Sequence, residues 1–102
     1  MKIKEGKWYR TSNGSILLAK TNIDDNNQLF KIIAVADTPQ ELVQIGDLVL
    51  LDANIYPIPI IGIREDQKRI YLSDKDNATY SEITEIFTPN SNGDYIRQWW
   101  KK

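Results

Sequence analysis

Apolar residues occur along this chain in short bursts cut off by turn-forming residues, and the bursts have the length of strands rather than helices. Lys7-Trp8-Tyr9-Arg10-Thr11 and Ser15-Ile16-Leu17-Leu18-Ala19-Lys20 flank Ser12-Asn13-Gly14. Asn-Gly between two such runs predicts a hairpin, because both residues tolerate positive φ. Residues 21–28 are polar and read as a loop. Residues 29–36 carry the β-branched Ile32, Ile33 and Val35 and read as a buried strand.

One short helical turn is predicted over residues 37–43, with Thr38 as N-cap, Pro39 as the first helical residue and Glu41 as the third. Gly46-Asp47 ends it, and Leu48-Val49-Leu50-Leu51 reads as a strand. In residues 55–64 the prolines Pro57 and Pro59 lie two apart, on one side of an extended segment, which predicts a sheet edge or an irregular strand entrance. Residues 68–73, 80–87 and 95–100 complete the set, separated by polar turns. Residues 81–87 also fit a helical turn, through Ile83, Ile86 and Phe87.

Eight short strands with turn clusters between them predict an all-β fold. The expected architecture is a small SH3-like barrel or a compact sandwich of short antiparallel strands with one helical turn. No linker or repeat divides the chain, so residues 1–102 are expected to form a single β domain.

Composition narrows the function classes. The chain is 41% hydrophobic and 26% charged, the balance of a folded protein rather than a disordered one. No apolar run approaches the roughly 20 residues that span a bilayer. The N-terminal Met1-Lys2-Ile3-Lys4-Glu5-Gly6 lacks the apolar core of a signal peptide. There is no cysteine to build disulfides, so a cytoplasmic location in a host cell is expected, without membrane contact. There is no histidine either. Triads that use histidine, thiolate chemistry and the common zinc, iron or copper sites therefore lose their ordinary parts.

The remaining chemistries find little support. Asp74-Lys75-Asp76-Asn77 begins like a calcium loop, but Ala78 and Thr79 stand where an oxygen donor and a glycine are required. Neither a paired-carboxylate hydrolase nor a serine–lysine nucleophile is marked by any flanking pattern. The five glycines are scattered near turns and form no phosphate loop. No metal, cofactor or catalytic residue is expected, and the chain reads as a non-enzyme.

Charge is distributed unevenly around the net −1. Residues 1–20 have five basic side chains and one acid, a local +4; residues 95–102 have three basic side chains and no acid; residues 21–94 carry −8. All three tryptophans lie in the basic ends: Trp8 beside Tyr9 and Arg10, and Trp99-Trp100 just after Arg97. Successive strand residues point to opposite faces, so one of Trp99 and Trp100 enters the core and the other stays exposed. The same alternation separates Trp8 from Tyr9. If the first and last strands pair, Trp8, Tyr9, Arg10, Arg97, Trp99 and Trp100 meet on one patch. Tryptophan, tyrosine and arginine are the favoured anchors of protein interfaces. The same groups can stack on a base and hold its phosphate. They can also simply plug the end of a barrel. The apolar, proline-bearing residues 55–60 form a second candidate docking edge, with packing under a loop as the alternative.

Leu42-Val43-Gln44-Ile45-Gly46-Asp47-Leu48-Val49, followed by Ile83-Thr84-Glu85-Ile86-Phe87-Thr88-Pro89 and the aromatic segment from Tyr95 to Trp100, resembles small uncharacterised all-β proteins of phages and prophages of Gram-positive bacteria. The resemblance covers residues 42–100. It departs after the Gly-Asp block, where Leu50-Leu51-Asp52 replaces the usual asparagine-glycine pair. It implies a mobile-element origin and a compact β fold, and no chemistry.

The expectation is a phage- or prophage-derived protein that binds a host or viral protein, with inhibition of a bacterial defence system as one task. The alternative is a module for single-stranded nucleic acid or a nucleotide, using the basic aromatic patch. The acidic body disfavours long duplexes. Homo-oligomerisation and a structural role in a virion are left open.

Overall fold

The computed structural model describes residues 2–24 and 30–101. The expected strand start at Leu29, Asp25 of the polar loop and the terminal Lys102 lie outside them. The described residues are all-β, with only short 3₁₀ turns between strands. The strands are β1 (Lys2–Ile3), β2 (Trp8–Thr11), β3 (Ile16–Leu18), β4 (Ile23–Asp24), β5 (Ile32–Ala36), β6 (Leu48–Leu51), β7 (Ile58–Arg64), β8 (Arg69–Leu72), β9 (Asn77–Thr79), β10 (Ile83–Pro89) and β11 (Tyr95–Trp100). Every pairing is antiparallel.

Three sheets result: a six-stranded sheet in the order β11-β10-β6-β7-β8-β9, a three-stranded sheet β3-β2-β5, and the ribbon β1-β4. Among the described residues none closes on itself, so the sheets are open. The expected pairing of the first and last strands does not occur: β2 lies between β3 and β5, and β11 is the edge of the large sheet, bonded to β10. The large and middle sheets nevertheless share one core. Val49, Ile60, Ile70, Leu72, Ile83 and Ile86 from the six-stranded sheet meet Ile16, with Trp8, Ala34 and Ala36, from the three-stranded one. A second cluster of Ile3, Tyr9, Ala19 and Ile32 fills the space under the ribbon. The middle sheet is therefore covered on both faces along β2.

Local sequence accounts for most boundaries. Gly14 turns the β2–β3 hairpin at φ +90°, with its N–H bonded to the Thr11 carbonyl at 3.0 Å. The helical turn appears as a 3₁₀ turn at Pro39–Leu42. It is joined among the described residues by 3₁₀ turns at Glu65–Gln67 and Tyr80–Glu82. Tyr80–Glu82 takes the start of the segment that fitted either strand or helix, and Ile83 onward is strand. There the Thr79 backbone N–H donates to the Glu82 carboxylate at 2.7 Å, whereas Thr38 reaches only the side chain of Glu41, at 3.2 Å.

The prolines lie at the entrance of β7, not at a sheet edge, because β7 runs between β6 and β8. Pro57 precedes the strand. Pro59 is tolerated because the neighbouring donor is Ile60, bonded to the Asp47 carbonyl at 2.9 Å, while Pro59 only accepts, from Ser73 N–H at 3.0 Å. No helix among the described residues is long and apolar enough to cross a membrane.

Candidate tryptophan hollow at the end of the edge strand

The C-terminal strand begins regularly, with Tyr95 opposite Pro89, Ile96 opposite Thr88 and Arg97 opposite Phe87. Then Gln98 is skipped, and Trp99 pairs with Ile86 and Trp100 with Glu85. This β-bulge changes which residues share a face. Without it Arg97 and Trp99 would lie on the same side. With it, Trp99 follows the fully buried Ile86 toward the core, and Arg97 joins Trp100 and Glu85 on the opposite face.

Three groups interlock on that outer face. The Arg97 guanidinium sits 4.3 Å from the centroid of the Trp100 ring, a cation–π contact, and donates to the Glu85 carboxylate at 2.9 Å. Trp100 remains 45% exposed. Trp99 is half-buried against the main core, as is Trp8. Where β11 ends, Trp8, Gln98, Trp99, Trp100 and Lys101 surround a hollow of about 420 Å³. The Lys101 backbone N–H bonds to the Thr84 carbonyl at 2.7 Å, which holds the rim against β10.

Of the six residues expected on the patch, Trp8, Arg97, Trp99 and Trp100 come together here. Tyr9 and Arg10 do not. Tyr9 is buried in the second core cluster. Arg10 is buried as well. Its Nη1 and Nη2 donate to the two carboxylate oxygens of Asp47 at 2.6 and 3.0 Å, and Nη1 also reaches the Leu42 carbonyl at 3.1 Å. A cation so enclosed cannot hold a ligand's phosphate; it joins the middle sheet to the start of β6. Alternation predicted that Trp8 and Tyr9 would point apart, but not that both sides of β2 would be covered. Gln98, the residue skipped at the bulge, and Lys101 complete the hollow.

A second hollow, of about 440 Å³, lies beside Tyr80, with Glu41, Lys68 and Ser81 on its wall. Burial pushes the Tyr80 phenol above the ordinary tyrosine range, and the negative charges of Glu65 and Glu41 act in the same direction. A phenol shifted upward stays protonated near neutral pH. It is a hydrogen-bond donor there, and a poor general base.

Asp74-Lys75-Asp76 lie in the β8–β9 turn and Asn77 opens β9: the Asp74 carboxylate accepts the Asp76 N–H at 3.0 Å, and Lys75 takes φ 73°. Among the described residues no group of three or more metal-ligating acidic side chains is assembled. On the surface, Lys7 pairs with Asp37, and the hydrogen bond and charge of Lys7 hold the Asp37 carboxyl below its ordinary range. No protein-family model, curated protein or solved structure matches this chain.

Proposed function

We propose that this protein is a non-enzymatic binding protein that acts by contacting a host or viral protein, with the tryptophan hollow at the end of β11 as the centre of contact. One observation carries the reading. Trp8, Trp99 and Trp100, drawn from opposite ends of the chain, converge on one hollow, and Trp100 is left substantially exposed. Large aromatic rings at a hollow supply contact area at small entropic cost and dominate protein interfaces.

The charges around the hollow favour a protein over a nucleotide or single strand. Arg97 beside it is already bonded to Glu85 and is neutralised before any phosphate arrives, which leaves Lys101 as the one basic side chain that lines the hollow among the described residues. The phage or prophage origin, the host-cell cytoplasm, the SH3-like class and the inhibition of a bacterial defence system belong to this proposal through the resemblance of residues 42–100.

The test is affinity capture from host lysate with the wild-type protein and with Trp100→Ala. A host protein retained by the first and lost by the second supports the reading. Identical captured proteins from both would remove the hollow from it. Tryptophan fluorescence quenched by an oligonucleotide, with affinity falling steeply in salt, would replace a protein partner with nucleic acid.

A further inference from the structure

Ile55 and Tyr56, 82% and 72% exposed, are the most exposed large apolar side chains among the described residues. They sit in the connection between β6 and β7, next to the exposed Pro57. A residue before proline is restricted to extended backbone, which applies in this connection to Tyr56 before Pro57. The connection is thus a stiffened apolar projection, and little ordering entropy remains to be lost when it docks.

The projection and the tryptophan hollow share one end of the six-stranded sheet. Leu51, the last residue of β6, is opposite Ile83; Leu50 is opposite Glu85, and Glu85 is opposite Trp100. The Asp52 N–H bonds to the Glu82 carbonyl at 3.1 Å and the Lys101 N–H to the Thr84 carbonyl at 2.7 Å. The chain therefore leaves β6 toward Ile55 and Tyr56 at the level where β11 finishes with Trp100. Leu50 and Trp100 are two strand steps apart across β10, on the order of 10 Å. Their charges are opposite: Asp52 is exposed at the base of the projection, and Lys101 is exposed at the rim of the hollow.

We infer that the hollow is filled by a second copy of this chain. In the resulting two-fold pair, the Ile55-Tyr56 projection of each copy enters the Trp8/Trp99/Trp100 hollow of the other. A projection and its receptor on one end of one chain are self-complementary, so a two-fold axis satisfies both contacts at once and closes the assembly. The pairing buries the most exposed apolar side chains and the exposed Trp100 together, and sets Asp52 of each copy near Lys101 of the other. The inference does not rest on a host partner. A host protein that uses the same hollow competes with the second copy.

Sedimentation equilibrium over a range of concentrations tests it, with circular dichroism to verify folding of each variant. The wild type is expected to show a monomer–dimer equilibrium. Tyr56→Ala and Trp100→Ala, both at exposed positions, are each expected to raise the dissociation constant about tenfold or more. The deciding sample is the equimolar mixture of the two variants. A Tyr56→Ala chain keeps its hollow and a Trp100→Ala chain keeps its projection, so a mixed pair retains one intact contact and forms more readily than either variant alone. A wild type that stays monomeric into the millimolar range overturns the inference. So does a mass that grows without limit, or a mixture no better than its components. Capture of no host protein by the wild type, or of the same proteins by the wild type and Trp100→Ala, with the dimer intact counts against the first proposal only.

Discussion

The Arg10 guanidinium grips both carboxylate oxygens of Asp47, at 2.6 and 3.0 Å, with the two side chains only 6% and 1% exposed. Asp47 also accepts the Gln44 N–H at 2.7 Å, and Arg10 also reaches the Leu42 carbonyl. One ion pair thereby ties β2 to the turn that leads into β6. The Arg10 Nε is buried without a partner among the described residues, so the pair is not fully compensated. Such a pair is a weak source of net stability yet costly to break from one side.

Arg10→Ala strips Asp47 of its cation inside the protein, and a loss of about 3–5 kcal/mol of unfolding free energy is expected. That is a large share of the roughly 5–15 kcal/mol typical of a domain. Urea denaturation at constant pH measures it. A loss below about 1 kcal/mol would show that the pair is wetter than its burial indicates.

Gly14 tests the contact between the first hairpin and β10. A Cβ built there falls 2.7 Å from Thr88 Oγ1, the atom that donates to the Gly14 carbonyl at 2.8 Å, and the residue has φ +90°. Gly93 has a similar φ of +84° with nothing within 4 Å of its Cβ position. Gly93→Ala is therefore expected to cost only left-handed backbone strain, about 1–2 kcal/mol. Gly14→Ala is expected to cost more, because Thr88 must also move. Equal shifts in urea midpoint at unchanged slope would contradict the close approach.

Tyr80 predicts alkaline sensitivity. Its folded-state pKa lies above the ordinary tyrosine value because of burial and the nearby acids. From about pH 10 the unfolded chain loses the phenolic proton while the folded one keeps it. Stability then falls with rising pH until the folded phenol also ionises. In thermal melts from pH 8 to 11, Tyr80→Phe should lose stability less steeply than the wild type above pH 10. Parallel curves would mean the phenol is not shifted.

Arg97 holds one face of Trp100 while bonded to Glu85. All three groups are at least partly exposed, so Arg97→Ala should change stability by no more than about 1 kcal/mol. The tryptophan emission should nevertheless shift to the red as water replaces the guanidinium over the ring. Emission identical to that of the wild type would show that the stacking does not persist in solution.

Eight of the eleven strands among the described residues were readable, because strands follow from alternation and turns from pairs such as Asn13-Gly14, all features of neighbouring residues. The separation of Trp99 from Trp100 was readable for the same reason. The strands β1, β4 and β9, two or three residues each, were not, and β4 and β9 lie in segments that read as polar turns. The skipped Gln98 was not, because a bulge is a property of how two strands pair. The roles of Tyr9 and Arg10 were hidden similarly. A basic or aromatic residue in a short strand looks the same whether it faces solvent or a second layer, and Asp47, which decides the matter, is distant in sequence.

What the chain determined locally is its all-β character, the places where it turns, and the concentration of tryptophan at its ends. Backbone preference and side-chain alternation act over a few residues and need no knowledge of the rest. The tertiary structure alone decided that the sheets stay open, that Arg10 is spent inside on Asp47, and that Trp8 meets Trp99 and Trp100 at one hollow. Those outcomes depend on which strands pair and in what register, which is settled by burying the shared core rather than by any segment's own preference.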